Sequence, residues 1–227
     1  MSPIINLMLD SDHEENRRRL VERLRKSGYI RSDSVQAAME AVPREKFVPE
    51  YMEDRAYVDT PLPIGHGQTI SAPSMIAIML EELDLHTGQK VLEIGTGSGY
   101  NATLIYEMVK CRVYTVERLP ELAELARSNL ETAGYGEEVI VVVGDGTEGY
   151  EEESPYDRIM VTAGAPKMPP ALAEQLKVGG MIGIPVGSNR GFQEFVTGTK
   201  KEDGDLEIVS HGGCAFVPLI GKDGWGG

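Results

Sequence analysis

Three glycines alternate with other residues in the segment EIGTGSGY (residues 93–100), which follows a short apolar run and precedes a helical pattern. Glycine lets the backbone turn sharply and approach a ligand closely, and the start of a helix offers unpaired N–H groups and a positive dipole end. A tight connection between a strand and a helix would produce the same pattern. The segment by itself is therefore only a weak indication of a ligand site.

Two acidic segments at the ends of the next apolar runs strengthen this indication. Glu117 ends the second run, 22 residues after Gly95, where a carboxylate can accept hydrogen bonds from two ribose hydroxyls. The segment GDG (144–146) ends the third run. Glu117 alone would be interpreted as a solvated carboxylate at a strand end. Because the carboxyl ends of adjacent parallel strands meet at one edge of a sheet, the three segments together predict a site for a nucleoside-type cofactor.

The segment GHGQTISAP (65–73) is the second candidate for chemistry, since it combines turn residues with hydroxyl and amide side chains before a helical pattern that begins at Met75. Ser71 could simply cap that helix, and Gln68 and Thr69 could simply stabilise a turn. His66 could act as a base or hold the loop by hydrogen bonds. On the residues alone, capping is the simpler interpretation of Ser71.

The hydrophobic pattern predicts the elements that position these residues. Five short β-branched runs predict strands that are buried on both faces: KVLEI (90–94), RVYTVE (112–117), VIVVV (139–143), YDRIMVT (156–162) and MIGIPV (181–186). Helical patterns separate at least the first three, which predicts a mostly parallel twisted sheet with helices on both faces. The segments FQEFVTGTK, DLEIVS and GCAFVPL have turns but no helix between them, and they predict antiparallel strands at the C-terminal edge.

The first 60 residues are predicted to be helical, and a further helix is predicted after the polar segment. One helix contains Leu20 and Leu24 and stops at Gly28, a second is capped by Ser32 or Asp33 and stops before Pro43, and a third runs from Met75 to about Leu83. We expect one domain over residues 1–227. Its N-terminal helical and substrate-loop segment extends to about residue 85, and a cofactor-binding core with C-terminal strands extends from about 86 to 227.

Composition and charge limit the partners and the location. With 36 acidic and 22 basic residues, the net charge of −14 repels phosphate backbones and anionic lipid, so neither nucleic acid nor a membrane is an expected partner. No apolar run reaches the roughly 18 residues that cross a bilayer, and no secretory signal is expected. Cys111 and Cys214 have no metal-ligand spacing and fit free thiols in a reducing cytoplasm.

The glycine segment departs from the dinucleotide fingerprint and resembles the loop of class I methyltransferases, which bind S-adenosyl-L-methionine (SAM). That resemblance implies a Rossmann-like class I methyltransferase fold with extra N-terminal helices. It also implies that Glu93 and the loop 95–99, including Gly95, Thr96, Gly97 and Ser98, hold the methionine end of SAM. Glu117 would hold the ribose, and Asp145 with Gly146 would hold the adenine.

A longer series of segments resembles the protein-L-isoaspartate O-methyltransferase family. VLEIGTGSGY, GDG, PYDRIMVTAGAP, QLKVGG, IPVG and FVPL occur in the order typical of that family, and VPREKFVPE, AYVDTPLPIG and GQTISAP extend the match upstream. The match covers about residues 35–220. GQTISAP is the discriminating segment, since methyltransferases in general have the cofactor loop but lack it. Asn101 departs from the usual small or apolar residue, and Ile220 stands where some relatives have a threonine on the cofactor side.

The resemblance implies an enzyme that methylates the free carboxylate of L-isoaspartyl residues in damaged proteins and peptides, which starts their repair. It implies that Ser71 is the active-site hydroxyl that hydrogen-bonds this carboxylate, and that residues 64–69 lie around the reacting groups; these include Ile64, Gly65, His66, Gln68 and Thr69. The expected partner is an extended, flexible segment, and a monomer is favoured. The alternatives are a class I methyltransferase acting on RNA or a small carboxylic acid, and a non-catalytic SAM-binding module.

Overall fold

The computed structural model describes residues 3–189 and 192–226, with side chains from residue 12 onward. The N-terminal part forms helices α1 (Pro3–Lys26), α2 (Asp33–Ala41) and α3 (Pro73–Leu83), with strands β1 (Leu62–Gly65) and β2 (Gln68–Ile70) between α2 and α3. The remaining elements are β3 (Val91–Ile94), α4 (Tyr100–Val109), β4 (Val113–Glu117), α5 (Pro120–Ala133), β5 (Val139–Val143), β6 (Tyr156–Val161), α6 (Pro170–Glu174), β7 (Leu176–Gly187), β8 (Gln193–Lys200) and β9 (Leu206–Cys214).

Seven strands form one sheet in the order β5-β4-β3-β6-β7-β8-β9. The pairs from β5 to β7 are parallel, whereas β7–β8 and β8–β9 are antiparallel. The strand order reverses between β3 and β6, and open α/β sheets bind ligands at the carboxyl ends of the strands beside such a point. The predicted mostly parallel sheet with an antiparallel C-terminal edge is confirmed.

Alternate residues of the central strands face two separate apolar clusters. Val91 and Met160 belong to the cluster that also contains Leu24 of α1, whereas Leu92 and Ile159 belong to the cluster on the other face. Strands buried on both faces read as continuous apolar runs, which is why their pattern was visible in the sequence. The N-terminal helices thus pack on the same face as α3 and α4, where they can reach the edge at which the glycine segment lies.

The predicted helix boundaries are confirmed where local chemistry sets them. Gly28 has φ +78° after α1, and the Ser32 hydroxyl caps α2 by accepting from the Val35 N–H at 3.3 Å. The capping interpretation of Ser71 is wrong: α3 begins at Pro73, two residues before the predicted start, and has no side-chain cap from its N-cap residue. Instead, Asp59 Oδ1 accepts from the Ser74 N–H at 2.9 Å.

Two predicted elements differ in the structure. Residues 44–47 and 50–55, within the stretch predicted to be helical, form short 3₁₀ helices instead of an α-helix. The polar segment, for which no element was predicted, forms the β1–β2 hairpin. DLEIVS and the start of GCAFVPL form the single strand β9, after which Val217–Leu219 leave the sheet. The Gly164 N–H donates to Val217 O, and the Leu219 N–H donates to Gly164 O, both at 2.8 Å. These bonds hold the segment across the end of β6.

Among the described residues, no helix is long and apolar enough to span a membrane.

Candidate active site

The β1–β2 hairpin carries the polar segment to the cofactor side of the sheet. Gly65 pairs with Gln68, and between them His66 and Gly67 have φ values of 51° and 71°. Two consecutive positive φ values give a tight two-residue turn whose twist matches the flanking strands. The Cδ1 of Ile64 lies only 3.4 Å from the position that a Cβ on Gly97 would occupy. The hairpin therefore packs directly on the glycine loop, which is defined here as residues 95–99.

The hairpin and the glycine loop line one open cleft, whose empty space of about 870 Å³ includes the solvent at its mouth. The hairpin side contributes Gln68, Thr69, Ile70 and Ser71, and the glycine loop contributes Gly95, Thr96, Gly97 and Ser98. Glu117, Gly146 and Thr162 line the cleft at the strand ends, and a C-terminal wall (Val217–Ile220) lines another side. The structure thus brings the two candidate segments of the sequence to the same site.

Gly95 occupies a position that no other residue could take without rearrangement. Its φ is +94°, and an ideal Cβ would lie 2.4 Å from Thr162 Oγ1. That hydroxyl donates to the carbonyl oxygens of Gly95 at 2.7 Å and Ile94 at 3.0 Å. The backbone of the loop therefore lies tightly against β6, so that a ligand in the cleft meets main-chain atoms.

Glu117 turns its carboxylate toward the glycine loop from the end of β4. Its Oε2 accepts from the Gly97 N–H and its Oε1 from the Leu119 N–H, both at 3.1 Å. Each carboxylate oxygen can accept a further hydrogen bond. The side chain is thus fixed by two backbone groups and still has acceptor capacity for a ligand in the cleft that it lines.

Glu93 lies beneath the loop and does not line the cleft. Its carboxylate is fully buried and accepts from Asn101 Nδ2 at 2.8 Å and Thr115 Oγ1 at 2.6 Å. Thr115 in turn hydrogen-bonds Thr96 Oγ1 at 2.8 Å. Burial raises the pKa of Glu93 to about 7, because desolvation outweighs the hydrogen bonds from Thr115 and Asn101 that favour the charged form. Through these contacts Glu93 supports Thr96 and Asn101, both of which line the cleft.

Asp145 also acts from behind the cleft wall. Its Oδ1 accepts from the N–H and the hydroxyl of Thr147, at 2.8 and 2.7 Å, and its Oδ2 accepts from the Lys222 N–H at 2.8 Å. Burial works to raise the pKa of Asp145, but the hydrogen bonds from Lys222 and Thr147 outweigh it and lower the pKa. Asp145 thus anchors the chain just after the C-terminal wall. Its neighbour Gly146 lines the cleft, and a Cβ there would lie 2.4 Å from Ile94 Cγ2.

Ser71 follows β2, is half-buried and lines the cleft. Within the described part of the chain, its hydroxyl has no hydrogen-bond partner, whereas its carbonyl oxygen accepts from Arg44 Nη2 at 2.9 Å. The backbone of Ser71 is therefore fixed while its side chain is available to a ligand.

The structure brings most, but not all, of the predicted site residues to the cleft. Nine of them line it: Gln68, Thr69, Ser71, Gly95, Thr96, Gly97, Ser98, Glu117 and Gly146. Five do not: Ile64 is buried within the hairpin, Gly65 and His66 are exposed at its turn, Glu93 is fully buried, and Asp145 is partly exposed.

Sequence reasoning missed several lining residues. Thr162 follows β6 within PYDRIMVTAGAP, and the C-terminal wall overlaps FVPL (216–219). Both segments were recognised as motifs, and the strand-end position of Thr162 was the signal that could have assigned it to the cleft. Ile220, which stands where some relatives have a threonine on the cofactor side, lines the cleft.

Comparison with known proteins assigns the chain to a family. The family model described as protein-L-isoaspartate(D-aspartate) O-methyltransferase matches residues 15–224. The chain belongs to this family. The protein-L-isoaspartate O-methyltransferase of Methanopyrus kandleri is 61% identical over 211 residues, which are 92% of this chain and 93% of that protein.

Solved structures of the family have the same fold. One protein-L-isoaspartate O-methyltransferase has 35% identity and a TM-score of 0.83, over 91% of this chain and 66% of that longer chain. A crystal structure from Plasmodium falciparum, carrying the same enzyme name and in complex with S-adenosyl-L-homocysteine, has 29% identity and a TM-score of 0.80. That match covers 90% of this chain and 98% of the other.

Proposed function

We propose that the chain transfers a methyl group from SAM to the free carboxylate of L-isoaspartyl residues in damaged proteins and peptides. Membership of the family and the enzyme name of its relatives support this activity. The observation that supports it most is that Ser71 and the glycine loop line the same cleft. Another class I methyltransferase, or a SAM-binding module, would need the cofactor loop but not the segment GQTISAP.

The cleft fits the adenosyl cofactor because its lining combines the glycine loop, the carboxylate of Glu117 and the apolar C-terminal wall. In this proposal residues 95–98 hold the methionine end, Glu117 accepts from the ribose hydroxyls, and Gly146 with the apolar C-terminal wall holds the adenine. Glu93 and Asp145 hold these groups in place from behind. Bound there, SAM supplies a methyl carbon made electrophilic by the sulfonium. The crystal structure of the Plasmodium falciparum protein with S-adenosyl-L-homocysteine supports this cofactor.

The residues on the hairpin side would orient the substrate. A carboxyl group with a pKa near 4 is ionised at neutral pH, so its oxygen needs no general base. The Ser71 hydroxyl donates to this carboxylate, and Gln68 and Thr69 confine it, in an arrangement that does not neutralise its charge. Alignment of two reactants can contribute about 7–11 kcal/mol, so positioning is the main catalytic effect. Ile64 supports the hairpin, while Gly65 and His66 contact the polypeptide that flanks the damaged residue.

The methyl ester formed in this way should cyclise to a succinimide without the enzyme, because methoxide leaves more easily than the oxide of a carboxylate. We further propose a single-domain, monomeric, cytoplasmic enzyme that acts on extended segments of proteins and not on nucleic acid. The net charge of −14 and the two free cysteines, Cys111 and Cys214, support this location and choice of partner.

The test uses two peptides that differ only in an isoaspartate or an aspartate, with methyl-labelled SAM. We expect base-labile label in the isoaspartyl peptide alone. Ser71→Ala should lower turnover far more than SAM affinity, and Ser210→Ala, on the exposed strand β9, is the matched control. Equal labelling of both peptides would refute the specificity. SAM binding without transfer to the isoaspartyl peptide would favour a non-catalytic module, and label on RNA or a small acid would favour another methyltransferase.

A further inference from the structure

Arg44 is a positive charge enclosed in the protein directly behind the segment that carries Ser71. Its side chain is fully buried. Nε donates to Ala56 O and Nη2 donates to Ser71 O, both at 2.9 Å. The guanidinium lies over the ring of Tyr100, 5.0 Å from its centroid. Both Ser71 and Tyr100 line the cleft, so Arg44 is separated from a ligand there by one layer of residues.

Among the side chains that the structure describes, no carboxylate forms an ion pair with Arg44, and its Nη1 has no hydrogen-bond partner. The groups that favour its charged form are Tyr100, Tyr57 and Asp59, and Asp59 is hydrogen-bonded to the Ser74 N–H. Burial lowers the pKa of Arg44, because the charged form is disfavoured away from water. An arginine nevertheless keeps its proton in proteins, so the charge is permanent.

A buried cation without a counter-ion is costly to stability, and an apolar side chain of similar length would fill the same space at lower cost. The two hydrogen bonds to carbonyl oxygens explain how the guanidinium is held but do not neutralise it. In a low-dielectric surrounding its field is weakly screened and extends to the Ser71 segment. An anion held by the Ser71 hydroxyl would supply the missing opposite charge.

We propose that Arg44 is a specificity-determining residue, whose charge acts across the Ser71 peptide group and selects an anionic carboxylate over a neutral group. This inference rests on the proposed function. Because Arg44 is fully buried, it cannot form a direct ion pair with the substrate, so it attracts the carboxylate and leaves the oxygen nucleophilic. The methyl ester is neutral and loses this attraction. The same charge therefore favours binding of the substrate and release of the product.

The test compares the dissociation constants of an isoaspartyl peptide and of the same peptide with a carboxamide in place of the free carboxylate. Both are measured by calorimetry in the presence of S-adenosyl-L-homocysteine, so that no transfer occurs. The wild type should bind the carboxylate about tenfold or more tightly. Arg44→Met should reduce this preference about tenfold. Arg44→Lys should lower both the preference and kcat, because burial favours the neutral form of a lysine and the fork that holds Ser71 and Ala56 is lost.

Arg158→Met is the matched control, since Arg158 is also largely buried and donates to backbone carbonyls, Leu83 O at 2.8 Å and Asp84 O at 3.2 Å, at the far end of α3. It should leave the preference unchanged. If Arg44→Met does not fold, the wild type and Arg44→Lys are compared instead, and the preference should be smaller in Arg44→Lys. In the wild type the preference should persist between about 0.05 and 0.5 M salt, because a buried charge is weakly screened.

Three results would overturn the role of Arg44: equal binding of both peptides by the wild type, loss of the wild-type preference at about 0.5 M salt, or an unchanged preference in Arg44→Met. In each case methylation of the isoaspartyl peptide by the wild type would continue, so the failure would concern Arg44 alone. Absence of methylation in the wild type would instead refute the proposed function.

Discussion

The buried carboxylate of Glu93 should make the protein less stable as the pH rises through neutrality. Burial raises its pKa from the usual 4.5 to about 7 in the folded state. Below pH 4.5 the folded and the unfolded states are both protonated at this group. Between 4.5 and 7 the unfolded state releases its proton while the folded state keeps it, so the free energy of unfolding decreases. Above pH 7 both states are ionised at this group, and the folded state then bears the full free-energy cost of burying the charge.

The magnitude follows from the interval over which only the unfolded state is ionised. From pH 5.5 to pH 7, at about 1.36 kcal/mol for each pH unit, Glu93 should cost about 2 kcal/mol, with little further change up to pH 8. Glu93→Gln removes this ionisation and keeps the shape of the side chain. Asn101 can adapt to the new amide at position 93 by rotating its own side-chain amide. Among the described side chains, the buried Oδ1 of Asn101 has no hydrogen-bond partner, so the rotation breaks no bond to that atom.

The assay is urea unfolding of the ligand-free protein at pH 5.5 and pH 8, both above the isoelectric point of about 4.8. Between these values the wild type should lose about 2 kcal/mol more stability than Glu93→Gln. Glu202→Gln, at an exposed loop residue, should follow the wild type. If the wild type and Glu93→Gln have the same pH dependence, Glu93 does not bind a proton more tightly in the folded state and the reasoning from burial is wrong.

Three further changes test the cofactor side and the hairpin side of the cleft. Glu117→Gln should weaken SAM binding by about 1–3 kcal/mol in calorimetry, because one acceptor oxygen becomes a donor, and an unchanged affinity would exclude Glu117 from the site. Gly95→Ala should abolish SAM binding and lower Tm, since its Cβ would lie 2.4 Å from Thr162 Oγ1. Gly204→Ala, with a similar φ of +90° and no atom within 4 Å of its Cβ, should lower Tm only slightly and leave binding intact. Asp59→Ala should cost about 1 kcal/mol in urea unfolding because it removes the cap of α3, and a full loss of turnover without loss of stability would contradict this structural role.

The sequence predicts those features whose cause lies within a few residues. Gly28 and Ser32 mark helix ends because a positive φ and a capping hydroxyl act locally. Continuous apolar runs reveal β3 to β6 because both faces of these strands are buried. β9 was predicted as two strands, since its length depends on pairing with β8, which the residues of β9 do not encode by themselves.

The sequence predicts which types of residue belong to the site more readily than it predicts where their side chains lie in space. Glu93 was expected to hold the methionine end of SAM together with the glycine loop, but its partners Asn101 and Thr115 come from α4 and β4, and they turn the carboxylate inward. Asp145 is likewise turned away from the cleft by Thr147 and Lys222. Such partners are distant in sequence, so the orientation of each carboxylate is a tertiary property.

The C-terminal wall (Val217–Ile220) also has a consequence for synthesis of the protein. A ribosome that has added the first 200 residues has already produced the hairpin and the glycine loop, but not this side of the cleft. A nascent chain should therefore acquire tight cofactor affinity only after the wall has emerged and docked on Gly164. Cofactor affinity would then report that translation has passed this segment, and prematurely terminated products would not sequester SAM.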